Sequence, residues 1–350
     1  MSHPQQPRLS RRAFVTRTSA LSAASLGVPG FASAQPKELV VGAASSQKTW
    51  SEEIMIPAFE KKHNVKVVFE GTRSLVNLEK LQKNKGQQYL SVVQMDDPVM
   101  ILAVKEGLLE PLTPAKVPNM ASLKPGTVHM NGMWVNYLQP WVGIAYNTTK
   151  MPTPPSSWTE AFDPKYKGRV VLPSLQNTEG VMNLFMASAL KTGKPMAEAQ
   201  KDMDAAFAKM KEMKANVLMS YTQEGQAYNL LEQGEAYMVQ GAISSVALAR
   251  KSKGAPVELA APKEGTFSMP SGICLVKGGP MPELAAAYID MLLSPEIQAP
   301  LTKATFSLST NSKVAAPAGL SNLIIHPVDW AAVSQNRAAW VARWDRELSL

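Results

Sequence analysis

Cysteine is almost absent: Cys274 is the only one in 350 residues, so no intrachain disulfide can form. Histidine is scarce as well, at four residues, and none stands at a spacing that would build a metal site. There is no glycine-rich phosphate loop. No apolar run approaches the roughly 20 residues that a membrane-spanning helix requires, so the mature chain is not expected to insert into a bilayer. Cys274 lies in the apolar string Ile273-Cys274-Leu275-Val276, which reads as a buried structural thiol and not as a nucleophile. No cofactor is expected.

What is present in excess is positive charge, with 36 basic against 28 acidic residues and a formal net charge of +8. Much of it sits at one end. Ser10-Arg11-Arg12-Ala13-Phe14-Val15 has the form of a twin-arginine motif, followed by a weakly apolar run over 20–31 and by Ala32-Ser33-Ala34. A basic head, a short apolar stretch and small residues before a cleavage point predict an export signal over residues 1–34, read by the twin-arginine route to the periplasm. Its removal takes away four of the 36 basic residues and none of the 28 acids, which leaves +4. Nucleic acid is therefore not an expected partner. The densest remaining basic stretch, Lys209, Lys211 and Lys214, is interleaved with Met210 and Met213 and reads as the solvated face of a helix.

A mature chain of more than 300 residues exceeds one ordinary core and predicts two lobes. Strand-like and helix-like segments alternate. Strands are expected over 38–41, 65–69, 89–95, 137–147, 170–172, 236–240, 257–260 and 273–276. Helices are expected from Ser51, with an irregular turn near Pro57, and over 75–83. Others should start at Pro98, over 178–191 and 196–214, near Gln223, over 244–253 and 282–293, and at Pro295. Strands separated by helices predict an α/β fold built on parallel sheets.

Several pieces then occur in a recognisable order. They are Lys105-Glu106-Gly107-Leu108-Leu109-Glu110-Pro111-Leu112, Gly143-Ile144-Ala145-Tyr146-Asn147, Ser157-Trp158, Asp163-Pro164-Lys165-Tyr166-Lys167-Gly168-Arg169-Val170, Lys253-Gly254-Ala255-Pro256-Val257 and Leu292-Leu293-Ser294-Pro295-Glu296-Ile297-Gln298. In this order they resemble bacterial extracellular solute-binding proteins of ABC importers, and most of all the spermidine/putrescine-binding branch. The resemblance implies a type II periplasmic binding protein with two α/β lobes joined by hinge strands. Lobe I would comprise 35–138 plus 270–309, and lobe II 139–269 plus 310–350. The hinges would lie near Gln139-Pro140-Trp141, Ser268-Met269-Pro270 and Ser309-Thr310. It also implies a monomer that delivers a small-molecule solute to permease subunits.

Ligands of open α/β sheets sit at the carboxyl ends of strands and at helix N-termini. The turns there nominate Ser46, Trp50, Arg73, Asp96, Asp97, Glu179, Tyr221, Glu224, Ala242, Ser244 and Ser271 as ligand-binding residues. Polyamine-binding relatives surround methylenes with aromatic rings and meet ammonium groups with carboxylates. By position, Trp50 matches one aromatic and Glu179 one acid. Ala242 stands where those relatives have a tryptophan, Pro270 where they have an aspartate, and Gln176 replaces another acid. Arg73 could instead clamp a carboxylate or phosphate, and Asp96 and Asp97 could hold an ammonium, which together predict a solute of both signs. The bland alternatives are a surface arginine and two aspartates capping the helix at Pro98. Two rival functions are a ferric-ion-binding protein of the same fold, for which Tyr221, Tyr228 and Tyr237 are too dispersed, and an enzyme using Cys274.

Overall fold

The computed structural model describes residues 38–348 except 270. The expected export signal, the Pro270 position and the last two residues lie outside the described residues. Fifteen strands follow in chain order: β1 (Glu38–Ala44), β2 (Lys66–Thr72), β3 (Val92–Asp96), β4 (Leu109–Glu110), β5 (Val128–His129), β6 (Trp134–Gln139), β7 (Val142–Asn147), β8 (Val170–Pro173), β9 (Val217–Tyr221), β10 (Met238–Ile243), β11 (Val257–Ala260), β12 (Thr266–Phe267), β13 (Ser271–Val276), β14 (Leu308–Ser309) and β15 (Ile325–His326).

They form two principal sheets. The first runs β14-β6-β13-β3-β1-β2, with β4 and β5 added at its edges, and the second runs β11-β7-β10-β8-β9. Each contains a parallel triplet with the earliest strand in the middle, β3-β1-β2 and β10-β8-β9. The chain winds to one side of the central strand and then to the other, so the two helical connections in each triplet leave on opposite sides of a switch point. Both sheets are mixed, because β13, β7 and β11 run antiparallel to their neighbours.

Alternation along the strands explains the core. In β13, Ile273 and Leu275 join one apolar cluster while Cys274 and Val276 join that on the opposite face. In β8, Val170 and Leu172 face one cluster and Val171 the other. A sheet buried on both faces needs apolar residues at every position, which is why these strands read as uninterrupted apolar runs. Cys274 is fully buried, its thiol directed at the Val93 carbonyl 3.7 Å away, and burial pushes its pKa well up. The expectation of a structural thiol fits this placement, and the core position gives Cys274 no access to a substrate.

The single extended segment expected over 137–147 is two strands in different sheets. Pro140 lacks the N–H that a continuing ladder would use, and the chain changes sheet there. The helix expected from Ser51 begins as a π-helical turn over Ser51–Met55 and becomes regular over Ile56–His63, with Pro57 in its first turn. The helix expected over 196–214 is broken into Met196–Ala199 and Met203–Met213. Its second piece buries Met210 and Met213, while Lys209 pairs with Glu212 and Lys211 with Glu347, as a solvated basic face should. β9 and the closing helix Trp330–Glu347 had no counterpart among the expected elements. No helix among the described residues is long and apolar enough to cross a membrane.

Candidate functional site

The carboxyl ends of the two parallel triplets meet at one cavity. Ala44, Ser46 and Gln47 enter it from the end of β1, Asp96 from the end of β3, Thr178 from the turn after β8, and Ile243 and Ser245 from the end of β10. Both switch points thus open on the same space of about 190 Å³. Pro140, Met269 and Ser271 form its back wall from the strands that connect the sheets, and Trp330 closes one side. An adjoining space of about 540 Å³ shares Asp96, Pro98 and Thr178 and adds Arg73, Ser74, Ser334 and Arg337.

Asp96 occupies the N-cap position of the helix Asp97–Lys105 without making a capping bond. A capping aspartate ordinarily contributes about 0.5–2 kcal/mol. Here the carboxylate is turned instead to the Ser74 hydroxyl, which donates to Oδ2 at 2.9 Å, and the Asp96 N–H donates to Ser74 Oγ at 3.2 Å. Asp96 reaches solvent at the cleft, yet the surrounding walls desolvate it and raise its carboxyl pKa, against a smaller opposite effect from Ser74. Asp97 is turned the other way and is 2% exposed. Its Oδ1 accepts from Trp134 Nε1 at 2.8 Å and from Asn136 Nδ2 at 2.7 Å, while Oδ2 lies 3.9 Å from His129 Nε2. Neither aspartate is a helix cap in the side-chain sense.

Arg73 is exposed in the turn after β2, and its guanidinium has no ion-pair partner among the described residues. Arg337 reaches the same space from the closing helix, donating from Nε to the Leu175 carbonyl at 3.0 Å and from Nη2 to the Gln176 carbonyl at 2.6 Å. Those bonds hold the loop that leads into the helix Thr178–Thr192. The same loop needs Gly180, because a Cβ there would stand 2.3 Å from the Ser174 carbonyl oxygen.

The other nominated residues divide by depth. Ser46 and Ser271 line the central cavity. Trp50 does not stand in the cleft wall as its match to an aromatic box implied. It is 5% exposed in the core of the first sheet, with its ring 5.9 Å from that of Tyr137, because the helical turn carrying it packs inward on that sheet. Ala242 is fully buried in β10, and Ser244 is buried with its Oγ accepting from the Trp141 N–H at 3.1 Å. Ile243 and Ser245 face the cavity in their place. Glu179, Tyr221 and Glu224 gather behind the Thr178 turn. There Tyr221 and Asn177 donate to Glu179 Oε1 at 3.4 and 3.0 Å, and Tyr228 is buried beside them.

Burial, and then the charge of Glu179, push the Glu224 carboxyl up to about 7, with Arg250 pulling back. An acid whose pKa is raised on folding stabilises the fold fully below its unfolded value and loses that contribution as pH rises through the folded one. Stability should therefore fall between about pH 4.5 and 7. Glu224→Gln is expected to raise the melting temperature at pH 8 by about 2–4 °C and to leave it unchanged at pH 4.5, which thermal unfolding at the two pH values will show.

Sequence reasoning missed Trp330 and Arg337, because the closing helix was not read as an element. A signal was available: Trp330, Val333, Ser334 and Arg337 recur at i, i+3, i+4 and i+7 and so share one helix face, which is the face turned to the cleft. Among the described residues, no group of three or more His, Cys, Asp or Glu stands close enough to hold a metal ion.

Comparison with known proteins agrees with this architecture. The family described as bacterial extracellular solute-binding protein matches residues 91–336. A periplasmic protein of Salmonella typhimurium proposed to bind 2-aminoethylphosphonate is 23% identical over 87% of this chain and 89% of its own length. A spermidine/putrescine-binding periplasmic protein of Escherichia coli K12 is 24% identical over 71% of this chain and 72% of its own. Among solved structures, one of a proposed extracellular solute-binding protein from Bordetella parapertussis superposes with a TM-score of 0.80 at 22% identity, covering 89% of this chain and 99% of that one. The fold is that of a type II periplasmic binding protein, the matched relatives are binding proteins and not enzymes, and the chain belongs to the bacterial extracellular solute-binding proteins, which capture small polar solutes for ABC importers.

Proposed function

We propose that this protein captures a short zwitterion, with an ammonium at one end and a carboxylate or phosphonate at the other. The observation that carries the proposal is that Asp96 and the unpaired Arg73 line one space, with Arg337 beside them. Asp96 would accept from the ammonium. Arg73 and the N-terminal turn that starts at Ser74 would take the anion, for which a guanidinium offers a planar fork and a helix start a positive dipole end. Trp330 and Pro98 would cover the short methylene chain. A long dication fits less well. The position of one family aromatic is the buried Ala242, Trp50 lies in the core, and the cleft's exposed side chains include an arginine that would repel an ammonium.

On this reading the lobes close about Pro140, Ser268-Met269 and Thr310. A ligand favours the closed form only through its differential affinity for it. The closed monomer is then the form that the permease subunits meet. Export by the twin-arginine route, read from Arg11 and Arg12, belongs to the same proposal, and lysine at both positions should leave the precursor unexported. The deciding experiment is a thermal-shift series on the mature chain with 2-aminoethylphosphonate, 4-aminobutyrate, putrescine and spermidine. A ligand present at about a hundred times its Kd stabilises by about 2.7 kcal/mol, a readily measured shift. Stabilisation by putrescine or spermidine alone would overturn the zwitterion.

A further inference from the structure

A second cavity, of about 420 Å³, lies on the opposite face of the strands that connect the two sheets. Side chains of an extended strand alternate in direction. Pro140 and Met269 face the solute cavity, and their neighbours Gln139 and Ser268 face the second one. Asp97 and Trp330 border both. At the connecting strands the two spaces are therefore back to back.

The rear space is lined by one ammonium and two imidazoles. Lys124 is half-buried there, with no carboxylate partner among the described residues, and burial lowers its pKa. His129 and His326 line the same walls, and both rings are held in place. The His129 ring stacks on Trp134 at 4.7 Å, and its Nε2 stands 2.6 Å from Asn136 Oδ1. His326 Nε2 donates to the Glu264 carbonyl at 2.7 Å. The ring lies over Gly265, at φ +88°, where a Cβ would fall 2.7 Å from that nitrogen. Ser268 and Ser321 add hydroxyls. The one acid of this wall, Asp97, accepts at Oδ1 from Trp134 and Asn136, while its Oδ2, 3.9 Å from His129 Nε2, is buried without a hydrogen-bond partner among the described residues, and burial raises its carboxyl pKa. A partly desolvated ammonium without a carboxylate partner, in a cavity that two positioned imidazoles also line, is an unmet demand for negative charge. The volume falls within the range of about 300–1,000 Å³ usual for small-molecule sites.

We propose that this rear cavity is a second ligand site, for a small organic oxyanion such as a carboxylate or phosphate ester, with Lys124 as its principal counter-charge. Its walls come from the first sheet, from the small two-stranded sheet β12-β15 and from the connecting strands: Lys124 and His129 precede β6, His326 belongs to β15, and Gln139 and Ser268 lie on the connections between the two principal sheets. An occupant would therefore act on the strands about which the protein closes and would be linked to solute affinity reciprocally. The site does not depend on which solute the front cavity takes.

The test is titration calorimetry of the mature chain with citrate, succinate and inorganic phosphate, repeated on Lys124→Gln and Arg73→Ala. Binding of at least one probe, weakened tenfold or more by Lys124→Gln and less than twofold by Arg73→Ala, is the expected result. The reverse pattern would place the anion in the front cleft and overturn the second site, as would the absence of binding by all three probes up to 10 mM. Lys124 makes no side-chain bond among the described residues that its replacement could break, so Lys124→Gln should fold as wild type, with an unchanged melting temperature in anion-free buffer.

Discussion

Asp97→Ala is expected to cost about 2–4 kcal/mol of stability, read as a lower denaturation midpoint at unchanged slope in urea. The side chain is 2% exposed, and a single oxygen receives the Trp134 indole N–H and the Asn136 amide. Alanine leaves both donors buried without an acceptor, and an orphaned buried donor costs about 1–3 kcal/mol. Asparagine keeps an oxygen in place and should come within about 1 kcal/mol of wild type. The contrast separates the two aspartates. Asp97 is tied into the wall between the front and rear cavities and keeps Asn136, and through it His129, in register. Asp96, one residue earlier, keeps its carboxylate in the cleft. A strand end followed by a helix start sends adjacent side chains in different directions, and that division of labour could not be read from the pair Asp-Asp alone.

The regular parts of the fold were legible for a simple reason. Strands buried on both faces are uninterrupted apolar runs, and β8 and β13 were bounded to within two residues by that signal. The helix Pro282–Leu293 carries proline in its first turn and ends before Ser294, where both boundaries were expected. What was not legible depended on tertiary context. β9 is an edge strand in which only Tyr221 is fully buried, and its apolar residues follow the helix Met203–Met213 after a single short turn, so no local break separates the two. β12, β14 and β15 are two residues long, below any period that a pattern could reveal. The change of sheet at Pro140 was foreshadowed by proline's missing donor, but nothing local says that the strand before it and the strand after it belong to different sheets.

The site was legible where topology determines it. Turns at the carboxyl ends of parallel strands nominated Ser46, Arg73, Asp96 and Ser271, and all four border the two adjoining spaces. Choosing the right residue within a turn was harder, because a one-residue error exchanges a wall for the core. Ser244 and Ala242 are buried, and their neighbours Ser245 and Ile243 line the cavity. Trp50 failed differently: an aromatic carried over by position alone is packed against Tyr137, and its ring is satisfied there. Trp330 and Arg337 come from a helix nearly 300 residues downstream of β1, so no local signal joins them to the turns they face.

The zwitterion proposal has a sharper consequence than a ligand screen, because each end of the solute is assigned to one residue. Arg73→Ala is expected to weaken 2-aminoethylphosphonate or 4-aminobutyrate by about 10–100-fold, and Asp96→Asn by a similar factor, since a charge-assisted contact in a partly desolvated cleft is worth about 1.5–3 kcal/mol. The two losses must differ in kind. Ethylphosphonate carries the anion without the ammonium, so Asp96→Asn should leave its affinity nearly unchanged while Arg73→Ala lowers it. Propylamine carries the ammonium alone and should respond in the opposite sense. Asp97→Asn should change none of these affinities by more than about threefold, because its carboxylate bonds within the wall and not in the cleft. Calorimetric titration of the three variants with the three probes decides the matter. A loss of less than twofold for the amino-carboxylate on Arg73→Ala removes the arginine from the site, and equal losses of ethylphosphonate in Arg73→Ala and Asp96→Asn would mean that the cleft does not distinguish the two ends.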